Sequence, residues 1–449
     1  MSRALYFWAG VRFNDGPLGV YWQYLDPFLL RRRLGESLLW LHSQPPLFNL
    51  YLGLALKTGH ERAVFIVTYL LCGLVVYAGS FLLMRRLSAP APLAFVLAAS
   101  FATSPGFIAY ENWLFYSLPV AALLVLAALA FEAAVRNGRT RDGLVFATLL
   151  SAVCAARSLY HLVYLVATLS LLAWGGRDAG RALRAGALPL LLLAGLYAKN
   201  AVLFHHFAAS TWTGMNLARL TTEALDRAEG ERLAAAGTLS PASVIPAFSR
   251  PQAYPRAYFA SAPPSRVRAL SWEEKTTGAA NFNHLAYIAI SDDLAGDARW
   301  VIRHRPGVYL SSVAQAWGVY LRASSDLRFL GIANIAALRP ALDVYDVALG
   351  GWGTPPRYWA LIVGLPLVFA LGIAGALGRG PGRGLDRPPR MLLWFLCFNI
   401  AYVALVGNFV ELGENNRFRF ETDPFSVCLL GLTVDAARRY RRGRGKDAA

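Results

Sequence analysis

The sequence predicts an all-α polytopic membrane protein, with about nine transmembrane helices and one mixed loop domain on the outer side. Three observations lead there. Of 449 residues, 56% are hydrophobic and only 16% charged, against about a quarter charged in an ordinary soluble chain. Runs of roughly 20 apolar residues recur, the length needed to cross a hydrocarbon core. The basic residues gather between those runs rather than within them, as membrane topology demands. That placement also accounts for the formal net charge of +17. No basic–aromatic motif accompanies it, so nucleic acid is not an expected partner.

Residues 1–62 are read as an outer loop that ends in a juxtamembrane helix. The initial apolar patch, Ala4–Val11, is too short to span and lacks a cleavage pattern. A polar stretch follows, from Tyr21 to Asn49. It holds Asp26 in an aromatic setting and closes with His42 and the Pro45–Pro46 pair. Asp26 has two readings: a cap on the following turn, or a general base. The apolar run at 46–56 suits a helix lying in the membrane interface better than a span.

Spans are expected at 63–84, 92–109, 112–134, 143–157, 159–174 and 184–204. After a long extramembrane segment at 205–356 come three more, at 357–378, 390–410 and 422–437, before a basic tail at 438–449. The connections at 85–86, 136–141, 177–184 and 379–390 are rich in arginine, as is the tail. The opposite connections, 110–112, 157–161 and 411–423, hold only Arg157, Arg417 and Arg419. The two sets alternate without a break, which places the first set and the C-terminus in the cytoplasm. The Asp26 stretch, Glu111, Arg157, His161 and 411–423 then share the outer side. On this topology Met1 is also outside, so Ala4–Val11 reads as the tail of a missing first span.

Glu111 stands at a membrane boundary among Tyr110, Trp113 and Tyr116, where a carboxylate is costly unless paired or hydrated. Arg157 could meet a phosphate by its fork geometry or pair with Glu111. His161, four residues on, would share its helical face. In 411–423, Arg417 and Arg419 alternate with Phe418 and Phe420, so an extended segment would turn both guanidiniums to one side. Two fixed cations beside a bilayer suit a lipid phosphate.

Within 205–356, His205–His206 and Asp292–Asp293 lack ligand spacing with a third group, so no metal site is expected. The stretch 249–264 reads as irregular loop, and 295–323 as an amphipathic helix broken at Pro306. The cysteines, Cys72, Cys154, Cys397 and Cys428, lie in apolar runs and read as small core residues. Phosphate-cradling, serine-elbow and zinc-protease motifs are missing. That argues against an ATP-driven pump, a serine hydrolase and a zinc protease.

Four features together resemble the GT-C superfamily of membrane glycosyltransferases, in the branch that holds protein O-mannosyltransferases and aminoarabinose transferases. They are an acid in the first outer loop (Asp26); a His-x-x-Pro-Pro-Leu element (His42, Pro45, Pro46, Leu47); paired spans joined by Arg85–Arg86 and followed by Glu111; and an arginine-rich outer turn ending at Pro424. The resemblance covers most of the chain outside 205–356. It implies transfer of a sugar, with inversion, from a polyprenyl-phosphate donor to an extracytoplasmic glycan, lipid or protein acceptor, without a cofactor. Asp26 would take the acceptor proton, and Glu111 would orient the acceptor. Arg417 or Arg419 would neutralise the departing lipid phosphate, and His42 would bond the donor or position the loop. The chain departs from the family pattern in having a lone Asp followed by Pro27, with Asp15 as a rival base. A glycan polymerase or ligase working on a lipid-linked oligosaccharide would use the same charges. A flippase ranks lower, because the ionisable groups gather at the boundary rather than at mid-membrane.

Overall fold

The computed structural model describes residues 2–260, 265–326, 330, 332–352 and 357–446, and most of these are helical. The tip of the expected irregular loop, 261–264, and the end of the basic tail, 447–449, lie outside the described residues. The β structure among the described residues is one short antiparallel pair, Gly351–Trp352 with Arg357–Tyr358, and two isolated bridges.

Each stretch expected to span contains helix, although 92–109 is broken in two and the helix within 112–134 begins only at Ser117. Five helices are long and apolar enough to cross a membrane: Glu61–Arg86, Ser117–Asn137, Ala179–Phe204, Trp359–Ala376 and Arg387–Val410. Ala91–Ala102 and Pro105–Glu111 would make a sixth if counted as one broken span, but they meet at a 60° bend. Pro105 opens the second piece and cannot donate to the turn before it, and the Ser104 side chain caps the new helix by accepting from the Phe107 N–H. Thr140–Ala156 has 17 residues and Leu162–Gly176 has 15, each short of a full crossing. The long helices leave Leu70, Leu71, Leu74, Leu191, Leu192 and Val202 exposed. Apolar side chains facing outward around a packed interior are what a hydrocarbon solvent selects.

The arginines of the first set gather at one end of these helices. Arg86 and Arg136 share the buried Glu132. Arg181 donates to the Gly138 and Gly176 carbonyls, and Arg387 to those of Trp174 and Gly175. Arg181 and Arg387 thereby meet carbonyls at helix C-termini, where a cation is favoured.

At the other end the polar stretch is knitted into the bundle. Pro46–Lys57 is a helix with Pro46 in its first turn, as the sequence suggests. Asn14 bridges to 112–114 through its own N–H and carbonyl. Tyr24 and Tyr69 donate to the carbonyls of Leu114 and Phe115. Tyr110 stacks on Phe420 with ring centroids 3.7 Å apart.

The 205–356 segment carries small cores of its own, chiefly Trp212, Met215, Phe248, Phe282, Tyr287 and Ile290. Thr213–Ala218 lies so close against Ala286–His304 that a Cβ at Gly214 would overlap the Ser291 carbonyl. The helix expected across 295–323 divides at Pro306, into Ala286–His304 and Pro306–Tyr320. Two pieces of the expected irregular loop are helical, Pro251–Ala253 and Arg256–Ala260.

Candidate functional site

A cavity of about 440 Å³ opens where the connections 157–161 and 411–418 meet the first polar stretch. Arg157, Arg219, Arg417, Glu411, Glu414 and Tyr116 line one part of it. Leu162, Val163, Tyr197, Phe207, Val406 and Val410 form an apolar wall, and Trp22, Trp212, Phe248, Gln23, Gln44 and Asn216 form a third.

Arg157 follows the last residue of Thr140–Ala156, in extended conformation, so its side chain leaves the helix axis. It pairs with Glu421, and its guanidinium lies 4.5 Å above the Phe418 ring centroid. Glu421 also accepts from the Tyr160 hydroxyl at 3.0 Å. Arg417 pairs with Glu414 one turn before it, donating from Nε at 2.8 Å. Its guanidinium stands 4.6 Å from the Phe115 centroid and reaches the Tyr116 hydroxyl at 3.4 Å. Both arginines are about 3% exposed, held by carboxylates and aromatic faces together. Arg219 approaches Glu411 at 3.4 Å. Burial pushes the Glu411 carboxyl up, against the pull of Arg219, and neighbouring Glu414 pushes it further.

Of the six residues the sequence singles out, Arg157 and Arg417 reach this cavity; the other four side chains are engaged elsewhere. Asp26 is the N-cap of Pro27–Arg32. Its Oδ1 accepts from the Phe28 and Leu29 N–H groups, and its Oδ2 from the Thr276 N–H and hydroxyl. Beside it lies Lys275, 4% exposed, which donates to the Tyr21 carbonyl at 2.7 Å. Burial pushes that ammonium down to about 7, with Asp26 pulling the other way. His42 is fully buried. Its Nδ1 lies 2.8 Å from the Thr211 hydroxyl and its Nε2 3.0 Å from the Asn283 carbonyl. The carbonyl has no proton to give, so Nε2 donates and Nδ1 accepts. His42 thus fastens the first stretch to 205–356.

Glu111 is 2% exposed and pairs with Arg3 of Ser2–Trp8 at 2.8 Å, so the alternative pairing with Arg157 does not form. Gly73 leaves the room its carboxylate occupies. Arg419 turns away from Arg417, which corrects the extended reading of this segment. Asn415–Phe420 is a helix, where residues two apart face nearly opposite ways. Arg419 instead binds Asp423, the Ser324 hydroxyl and the Arg322 carbonyl. His161 does not share a helix with Arg157, since the chain turns between them, yet both line the cavity. Asp15 pairs with Arg62 at 2.7 Å. His206 lies 3.2 Å from Asp292, and Tyr258 donates to Asp293.

Sequence reasoning missed Arg219, Gln44 and the individual weight of Glu411 and Glu414. The two acids stand in the dense 411–423 connection and Gln44 inside the His-x-x-Pro-Pro element, so each carried a signal. Arg219 carried none. No protein-family model, curated protein or solved structure matches the chain.

Proposed function

We propose that the chain is a membrane glycosyltransferase that binds a polyprenyl-phosphate sugar in this cavity and transfers the sugar, with inversion, to an acceptor hydroxyl. The observation that carries the reading is the joining of two buried arginines, Arg157 and Arg417, to an apolar wall within one cavity. A lipid phosphate needs both: fixed cations for its charge and an apolar path for its chain. Ordinary cores do not gather arginines around an open space, because unpaired burial of charge is costly.

In the proposed reaction the acceptor oxygen attacks the anomeric carbon as the bond from that carbon to the phosphate oxygen breaks. The lipid phosphate leaves carrying the bond's electron pair, and Arg157 and Arg417 neutralise the charge that develops on it. The acceptor's proton passes to a carboxylate. We place that role on Glu411, which lines the cavity with only a 3.4 Å contact to Arg219 and has its basicity raised by burial. Both Asp26 oxygens already accept hydrogen bonds from Thr276 or the helix start. The alternation of arginines along the sequence supports a reading in which this cavity faces the extracytoplasmic side and the C-terminus the cytoplasm.

The test incubates membranes holding the protein with radiolabelled polyprenyl-phosphate sugars and follows label into the acceptor fraction. Transfer that disappears in Arg417→Ala and Glu411→Gln supports the reading. Undiminished transfer in both variants, or none from any polyprenyl-phosphate sugar, overturns it.

A further inference from the structure

Part of the cavity lining is aromatic, with Trp22, Trp212 and Phe248, and nothing in the phosphate chemistry requires it. Trp22 lies flat on Phe248, with ring centroids 4.7 Å apart and planes 7° apart, and Trp212 meets Phe248 edge-on at 5.2 Å. Trp22 remains 37% exposed, an unusual state for an indole otherwise surrounded by aromatic partners.

The backbone beneath this stack is strained. Phe248 has φ of +63°, a conformation that bulky side chains avoid. Bonds on either side of it hold the conformation. Glu223 accepts from the Ala247 N–H at 2.6 Å, Tyr254 donates to the Pro246 carbonyl at 3.3 Å, and Tyr287 donates to the Ser249 carbonyl at 2.9 Å. Strain fixed in this way persists where a side chain must be aimed. Here it aims the Phe248 ring at the underside of Trp22.

Gln23 and Asn216 also line the cavity, and their amides have no hydrogen-bond partner among the described residues. An indole face with free amides near it matches one ligand chemistry, a pyranose ring. The C–H face of such a ring is attracted to the negative face of an aromatic system, while its hydroxyls need donors and acceptors at the edge.

We propose that Trp22, braced by Phe248, is a stacking shelf for the sugar ring, and that Gln23 and Asn216 bond its hydroxyls. The proposal rests on the lipid-phosphate reading of the same cavity and assigns it a second, separable half. The phosphate end is held by the arginines, and the sugar end by the shelf, which sets which sugar is accepted.

The test uses the purified full chain in detergent and titration calorimetry with farnesyl phosphate and with glucosyl and mannosyl farnesyl phosphates. At least one glycosyl lipid is expected to bind about tenfold more tightly than farnesyl phosphate. Trp22→Ala should erase that advantage and leave farnesyl phosphate affinity unchanged. Trp22→Phe, which keeps a ring on Phe248, should retain most of it. An advantage that survives Trp22→Ala overturns the shelf, as does the absence of any advantage while farnesyl phosphate still binds; the lipid-phosphate reading survives both results. Failure of farnesyl phosphate itself to bind overturns both.

Discussion

Arg157 and Glu421 form an ion pair that is almost wholly buried, the arginine being 3% exposed and the glutamate 0%. The pair joins the turn after Thr140–Ala156 to the connection after Arg387–Val410, and Tyr160 adds a hydrogen bond to the same carboxylate. Two distant connections are thereby fixed to each other beside the cavity that Arg157 lines.

Removing one member of such a pair strands the other. Glu421→Gln keeps an acceptor for Tyr160 but leaves Arg157 as a buried, uncompensated cation, a change that costs about 3–5 kcal/mol. The expected outcome is a large drop in melting temperature in detergent. The double variant Arg157→Met, Glu421→Leu, which removes both charges, should melt above either single variant. Equal melting of all three would mean that the pair is not coupled.

Arg417 gives the complementary prediction, for activity. Its charge sits against Phe115 and Tyr116, in the cavity where the leaving phosphate is placed. Loss of one preorganised partner for developing charge reduces turnover about 10²–10³-fold. Arg417→Ala should fall in that range. Arg417→Lys should recover only part, because an ammonium cannot reproduce the planar fork that bonds Glu414 and a phosphate together. The measurement is kcat for sugar transfer. Arg419→Lys should leave kcat nearly unchanged, since Arg419 turns away from the cavity toward Asp423.

Asp26 and Glu411 are separated by paired measurements of stability and rate. Asp26→Ala removes an N-cap, worth about 0.5–2 kcal/mol, together with the bonds from Thr276, at about 1 kcal/mol each. The variant should melt lower yet retain turnover per folded molecule. Glu411→Gln should do the reverse, melting near the parent temperature with transfer abolished. If Asp26→Asn stops transfer without lowering the melting temperature, the base is Asp26.

The bundle was legible because apolar run length and arginine placement are direct consequences of the bilayer as solvent. Five of the expected spans are helices long and apolar enough to cross, and Arg86, Arg136, Arg181 and Arg387 meet at one end of the bundle. Arg157 and Arg417 could be chosen because a cation in a connection that is otherwise poor in them needs a reason to be there. Roles that depend on which way a side chain points were not legible. The spacing of Arg417 and Arg419 reads as one face in a strand and as opposite faces in a helix, and six residues carry too little periodicity to decide. Asp26 followed by Pro27 is an ordinary helix start, and only the fold brings Thr276 to its second oxygen. Arg219 reaches the cavity by the packing of Thr213–Ala218 on its neighbours, which no local pattern encodes.

Gly73 tests how Glu111 is held. Glycine within a helix ordinarily costs about 1 kcal/mol relative to alanine, so Gly73→Ala in Glu61–Arg86 should stabilise if the space were free. It is not free: the new Cβ would run into the Glu111 carboxylate and force it off Arg3. Overpacking of this kind costs about 1–3 kcal/mol, and the displaced carboxylate also loses its ion pair. The net expectation is a lower melting temperature, with Gly73→Ala, Glu111→Ala melting above Gly73→Ala alone. A single variant that melts higher than the parent would show that Glu111 moves aside at no cost.

His42 predicts the acid limit of the fold. Burial pushes its imidazole down to about 3, with Lys199, His206 and His284 adding to the shift and the bond to the Asn283 carbonyl opposing it. In the unfolded chain the same group titrates near 6.5. Below that value the unfolded state binds a proton that the folded state refuses, so stability falls as pH drops from 6.5 toward 3 and is unaffected by His42 above it. Each pH unit in that window costs up to about 1.4 kcal/mol. His42→Gln removes the titrating group and has an amide for Asn283, so its melting temperature should start lower at pH 7 yet decline less steeply between pH 6.5 and 4. Melting curves collected through that range for both proteins measure the two slopes, and parallel slopes would mean that His42 is not the group that limits the fold in acid.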